Sequence, residues 1–332
     1  MRAPFPAFPT RAPLRMRWLG LLLALSCLVS TTAVLPASAA TALSAVAPAA
    51  GGLRLDASQA GDDFPDLPGR CYDREHEPVD QCRITSYAGR PWIVMWGDSH
   101  GLMYLPAIRA LANKKRVNLV VMFFGSCPVS VPLPPQPRQE GVQGRTQCED
   151  HNVQSLDYVR GLSSRGVDLK VLIGGFWSGY RQAHRRTLRA RASGGQSGLT
   201  SYQERMGELA DYGTPRMFKI FGNLQLDVDV LALAATVPLD PKPCTAGREP
   251  YQCDLPRRQA LTGENNNRRW LKGVMEPLVN PRLIDPSPVY CDTSTCFAHV
   301  DGVNTFYDDI HLGADLTRTM RRFFVPTYND LT

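Results

Sequence analysis

Three residues stand out as able to do chemistry together. Ser99 ends the run Trp92-Ile93-Val94-Met95-Trp96-Gly97-Asp98-Ser99-His100, an apolar, strand-like stretch closed by a tight Gly-Asp-Ser turn. Such a turn leaves a hydroxyl exposed at the carboxyl end of a buried strand, where open α/β sheets hold their ligands. A serine hydroxyl is a weak nucleophile until a base takes its proton. That base is available far downstream in Asp308-Asp309-Ile310-His311-Leu312. Asp308 and His311 are three residues apart, close enough to serve one site. Nucleophile early, Asp and His late, is an order that folding can assemble into a triad for acyl transfer. Asp309 is too near His311 in sequence to reach its far ring nitrogen comfortably.

Neighbours of this trio have two readings each. Asp98 fixes the turn by bonding backbone N–H groups. His100 either lines an acyl pocket or caps the following helix. Tyr307 either packs beneath the trio or reaches substrate. His76, His151, His184 and His299 have no partner pattern and read as surface or structural.

The elements that must position the trio alternate along the chain. Strand-like runs fall at 92–96, 117–124, 169–174, 228–237 and 282–284. Helix-like stretches fall at 105–115, 150–164, 202–212, 257–278 and 312–324. A β-α-β-α alternation favours a mostly parallel sheet covered on both faces. Its early strands are continuous apolar runs, as burial on both faces demands. Val131-Pro132-Leu133-Pro134-Pro135-Gln136-Pro137 is too rich in proline for a sheet interior and reads as loop. Residues 180–191, which read as an insertion, carry Arg181, Arg185, Arg186, Arg189 and Arg191. They read either as a solvated helix face or as a basic flap meeting an anionic glycan or membrane.

The beginning of the chain reads as an export signal. Four arginines precede an apolar run at 18–29, and Ala37-Ser38-Ala39 offers a cleavage site. The run is short and interrupted for a spanning helix, which favours cleavage over an anchor. Residues 1–39 hold four Arg and no acid. Their loss leaves 33 basic against 31 acidic residues, a net charge of +2 in place of +6. The balance therefore gives no argument for nucleic acid as a partner. Residues 40–64 are rich in Ala, Gly and Ser and read as a flexible linker. Residues 65–332 form one domain, opening with an extension held by a first cysteine pair.

Of nine cysteines, Cys27 leaves with the signal. The other eight fall into sequence-local pairs: Cys71 with Cys82, Cys127 with Cys148, Cys244 with Cys253, and Cys291 with Cys296. An even count in an exported chain points to disulfides and an oxidising compartment, periplasmic or extracellular. Zinc is the competing reading. No pair has C-x-x-C spacing and no paired histidines follow, so the expectation is no metal and no cofactor.

Taken together, these motifs resemble the SGNH (GDSL-type) hydrolases. They are most similar to the SGNH domain associated with acyltransferase-3 membrane proteins that O-acetylate bacterial polysaccharides. The likeness rests on Gly97-Asp98-Ser99-His100 with its downstream helix, on Phe124-Gly125-Ser126-Cys127-Pro128, and on Cys291-x4-Cys296 ahead of Asp308-x-x-His311. It spans about residues 70–325. The resemblance implies a three-layer α/β/α sandwich around a mostly parallel sheet of about five strands. It implies Ser99 as nucleophile, His311 as general base and Asp308 as its orienter. Backbone N–H groups of Ser99 and Gly125 would stabilise the oxyanion. Many relatives add an Asn in a G-x-N-D block, but this chain reads Gly174-Gly175-Phe176-Trp177 there. A backbone N–H at Gly174 or Gly175 would then substitute. Trp177 is either a sugar-stacking wall or a core tryptophan. The implied activity is O-acetyl transfer to a polysaccharide, with an acyltransferase-3 membrane partner as acetyl donor. Acetyl-ester hydrolysis on the same residues, and a non-catalytic glycan-binding subunit, are the alternatives.

Overall fold

The central strands form because their residues are mostly apolar on both sides of the pleat, and shorter or more polar strands flank them. In the computed structural model, which describes residues 63–67, 71, 82–134, 146–236 and 254–331, they build one six-stranded sheet. The strands are β1 (Arg83–Thr85), β2 (Trp92–Gly97), β3 (Asn118–Phe123), β4 (Leu169–Gly174), β5 (Asp227–Leu231) and β6 (Val279–Ile284). Their order is β1-β3-β2-β4-β5-β6. All neighbours run parallel except β1, which lies antiparallel on the β3 edge.

Alternate residues of each strand enter different cores, which makes three layers. Ile93, Met95, Leu119, Val121 and Leu172 pack with helices α2 (Leu105–Lys115), α8 (Ala314–Thr319) and α9 (Arg321–Asn329). Val94, Trp96, Val120, Met122 and Val171 pack with α3 (Gln147–Ser164), α6 (Thr214–Asn223) and α7 (Glu264–Met275). The expected α/β/α sandwich is thus present. A short helix α1 (Ser99–Leu102) precedes α2, and α4 (Trp177–Ala192) and α5 (Ser201–Glu208) lie between β4 and α6.

Sheet order fixes where a ligand belongs. The chain leaves β2 for β3 on one side, then crosses to β4 on the other. The switch point is therefore the carboxyl end of β2. There Gly97 pairs with Phe123 on one flank and Gly174 on the other, so three strands end level. A crevice at such a point is the ligand position of open α/β sheets.

Several boundaries differ from the sequence reading. The strand expected at 228–237 stops at Leu231. Beyond it Ala232 bonds to Ile284 and Thr236 to Ala260, so the buried chain leaves the ladder. The helix expected at 257–278 is split at Gly263, whose φ of +75° breaks the α run before Glu264. α5 runs on as a π-helical turn at Leu209–Gly213, and α6 follows with Pro215 in its first turn, where a missing N–H costs nothing. Residues 180–191 are not an insertion but most of α4. Arg181 pairs with Asp211, and Arg191 with Glu204 and Glu208, which gives these two of the five arginines a structural role.

Disulfides join Cys127 to Cys148 and Cys291 to Cys296. They fit an extracytoplasmic compartment. Cys71 and Cys82 are both buried. Cys244, Cys253, the signal at 1–39 and the linker up to residue 62 lie outside the described residues. Asp63 and Phe64, assigned to the linker by composition, pack against the fold. No helix of the described residues is long and apolar enough to cross a membrane.

Candidate active site

Close backbone packing sets the geometry of the Gly97-Asp98-Ser99 turn. A Cβ on Gly97 would lie 2.0 Å from the Gly174 carbonyl oxygen, and one on Gly174 would lie 2.4 Å from the Gly101 Cα. Three glycines therefore let the end of β4 sit directly under the turn and the start of α1. This packing is the visible need for glycine at Gly174. A Cβ on Gly175 would press on the Trp177 ring at 3.2 Å.

Asp98 holds the turn from below. Its side chain caps α1 by accepting the His100 N–H at 2.8 Å. Its other oxygen accepts the Phe176 N–H at 2.9 Å and the Tyr180 hydroxyl. Asp98 is only 1% exposed. Burial pushes its carboxyl above the usual range, against the pull of the hydrogen bonds from Tyr180, Phe176 and His100. One carboxylate thus ties the nucleophile turn to the first turn of α4.

Ser99 opens α1 and is half-buried. Its Oγ lies 2.7 Å from His311 Nε2. On the other side of that ring, Nδ1 lies 2.8 Å from Asp308 Oδ2. Asp308 Oδ1 also accepts the Ile310 and His311 N–H groups at 2.8 and 2.7 Å. Partial burial pushes the Asp308 carboxyl up. The His311 ring and these N–H donors outweigh burial and hold it below the usual carboxylate range. The loop is closed by Tyr307 N–H to the His311 carbonyl at 3.0 Å and by the Leu312 N–H to Met103 Sδ at 3.5 Å. Asp308, not Asp309, is the partner of the ring.

His100 is buried, its ring stacked on Phe176 at 4.3 Å between centroids and 5.0 Å from His311. Its Nε2 has no hydrogen-bond partner among the described residues. Burial, then the nearby His311, lower its pKa to about 3, so the ring is neutral. The capping role weighed for His100 belongs to Asp98. His100 instead walls the site beside His311.

Trp177 is a correction. It is fully buried, stands 5.8 Å from Trp270 and donates Nε1–H to the Leu231 carbonyl at 3.1 Å. It is a core tryptophan with a satisfied polar edge, so the sugar-stacking wall falls away. Gly125 lies in the exposed turn after β3, and a Cβ there would meet open space. The preceding Phe124 N–H bonds to the Gly97 carbonyl, which keeps this turn beside the nucleophile strand.

Two supporting residues escaped the sequence reading. Tyr180 sat in a stretch read as an insertion, and its partner Asp98 is far upstream. Phe64 packs edge-on to His311 from a segment whose neighbours look like linker.

The arrangement has the parts that proton transfer needs: a hydroxyl, an imidazole in contact with it, and a carboxylate bonded to that imidazole. No curated protein matches the chain. A solved structure, the periplasmic domain of the Salmonella ser. Paratyphi A lipopolysaccharide acetyltransferase, is similar at 13% identity, covering 78% of this chain and 91% of that one with a TM-score of 0.46. The model of the SGNH domain (fused to AT3 domains) matches residues 70–326, so the chain belongs to the SGNH family, a membership that supports enzyme chemistry of the acyl-transfer or esterase type.

Proposed function

We propose that this chain is an exported serine O-acetyltransferase acting on a cell-surface or secreted polysaccharide. The observation that carries the reading is the unbroken chain from Ser99 Oγ through His311 to Asp308, at 2.7 and 2.8 Å. His311 Nε2 takes the Ser99 proton as Oγ attacks the acetyl carbonyl. The tetrahedral oxyanion is met by backbone N–H groups of Ser99 and Gly125, with Gly174 or Gly175 in place of the absent Asn. Collapse breaks the bond to the donor oxygen, which leaves with the proton from His311. A sugar hydroxyl then gives its proton to His311 and attacks acetyl-Ser99, and Ser99 leaves reprotonated. Asp308, held as a carboxylate, keeps the imidazole in one tautomer and stabilises its charged form.

A family model built on domains fused to AT3 domains supports a membrane acyltransferase-3 protein as the partner that delivers acetyl groups. The leader at 1–39 and the disulfides support periplasmic or extracellular placement. Co-purification with the membrane fraction tests the partner.

Water in place of the sugar hydroxyl makes the same residues a carbohydrate acetyl-esterase. One experiment separates these readings. The purified exported chain and Ser99→Ala are given p-nitrophenyl acetate with and without short glycans. Ser99-dependent turnover with acetate on the glycan is the expected result. Ser99-dependent release to water alone makes it an esterase. Turnover equal in both proteins, or absent from both with unchanged polysaccharide acetylation in cells carrying Ser99→Ala, leaves the non-catalytic glycan-binding role.

A further inference from the structure

We propose that the segment just ahead of the family domain is a working part of the site, with Phe64 a positioning residue for His311 and Asp63 its pin. The proposal rests on the reading of Ser99 and His311 above. Residues 63–67 precede residue 70, where the family match begins. They are nevertheless bound to the loop that carries the base. The Asp63 carbonyl accepts the Ala314 N–H at 2.8 Å, and its Oδ1 accepts the Asp315 N–H at 2.9 Å. A Cβ on Gly313 would lie 2.2 Å from Asp63 Oδ2, so the glycine two residues after His311 leaves room for the carboxylate. On the other side of Phe64, Pro65 and Leu67 are buried.

So anchored on both sides, Phe64 has little freedom. Its ring stands 5.1 Å from the His311 ring, edge to face at 69°, and 5.1 Å from Tyr307. His100 lies on the same imidazole at 5.0 Å. The ring edges of His311 are held by Ser99 and Asp308, so aromatic neighbours supply the remaining constraint on its plane. Phe64 also lines an open cavity of about 580 Å³, together with Arg109, Asn113 and Arg318. It therefore touches both the His311 ring and that open space. Removing the phenyl group frees the imidazole to tilt and opens it to water. A tilt costs proton-transfer geometry, and water competes with a sugar hydroxyl for acetyl-Ser99.

The test compares Phe64→Ala, Phe64→Tyr, Asp63→Ala and Ser99→Ala in the exported chain. Hydrolysis of p-nitrophenyl acetate gives kcat and KM, thermal unfolding gives the midpoint, and a short glycan acceptor gives the split between sugar and water. In Phe64→Ala, kcat falls by about 10- to 100-fold with KM and the unfolding midpoint unchanged, and the share of acetyl lost to water rises. Phe64→Tyr, which keeps the ring, restores kcat. Asp63→Ala keeps the ring but loosens it, and shows a smaller fall of the same sign, which holds the proposal open to test should Phe64→Ala unfold. Wild-type kcat in both Phe64→Ala and Asp63→Ala, or equal damage in Phe64→Ala and Phe64→Tyr, overturns the role of Phe64 while Ser99→Ala stays inactive. Turnover that survives Ser99→Ala overturns the reading of the site itself, and this role with it.

Discussion

At the amino end of the sheet, Lys170 is buried in β4 with Nζ 2.7 Å from Asp330, 3.0 Å from Asp227 and 3.9 Å from Asp229. Arg282 adds bonds to Asp229 and Asp330. At the carboxyl end, buried Asp98 meets no cation at hydrogen-bond distance among the described residues. Its bonded partners are neutral donors: a phenol and two backbone N–H groups. The first cluster sets two cations among three carboxylates and ties the end of α9 to the sheet. The second holds the turn that carries the half-buried Ser99. Opposite charges that satisfy each other have nothing left for a substrate. A carboxylate satisfied by neutral groups orients a turn without quenching the nucleophile on it.

If that contrast is right, damage at the two ends separates into rate and stability. The largest effect is expected from Asp308→Asn. The amide keeps the shape but presents a donor where Nδ1–H needs an acceptor, which favours the wrong tautomer of His311. Turnover should fall by about 10⁴-fold with the unfolding midpoint nearly unchanged. Steady-state hydrolysis of p-nitrophenyl acetate against circular dichroism on the same preparation measures both. A loss below tenfold would mean that Asp308 does not hold the base.

Lys170→Ala should do the reverse. Removing the buried cation takes the 3.0 Å ion pair from Asp227 and leaves Asp229 and Asp330 to Arg282, at a cost of about 3 kcal/mol. In a domain of this size the unfolding midpoint should drop by roughly 10 °C. Below that temperature, kcat per folded molecule should equal the wild type. A fall in kcat without a fall in stability would show that the two ends are coupled through β4.

How much of this was legible in the sequence depended on distance along the chain. Ser99 was readable because an apolar strand and its turn are contiguous. Asp308 and His311 were readable because the hydrogen bond between them spans three residues. The strand at β4 was recognised even with Lys170 inside it, since five apolar or small neighbours outweigh one charge. What stayed hidden depends on partners far away. Trp177 had a free indole N–H until the Leu231 carbonyl, 54 residues on, took it. Tyr180 gained meaning only from Asp98, 82 residues before it. Phe64 follows an Ala- and Gly-rich stretch, and composition gives no sign that Asp63 binds beside residue 314. α6 went unread, and its Pro215 stands in the first turn, where a helix accepts it.

The smallest expected effect sharpens the contrast at the carboxyl end alone. His100 is a buried base with no ion pair among the described residues, unlike Lys170. Its pKa of about 3 in the fold lies below the 6.5 of an unperturbed histidine. Between these values the unfolded chain binds a proton that the folded chain refuses. Stability is therefore complete above pH 6.5 and drains away as pH falls toward 3, by up to about 1.4 kcal/mol per pH unit from this one group. His100→Phe keeps a ring stacked on Phe176 and removes the proton site. Urea unfolding at a series of pH values should show a shallower acid slope in the variant, by close to one proton, with the two curves converging above pH 7 apart from a constant offset. Identical slopes would mean that His100 takes up a proton in the folded state. In that case its Nε2 has an acceptor within the site, and the wall beside His311 is charged.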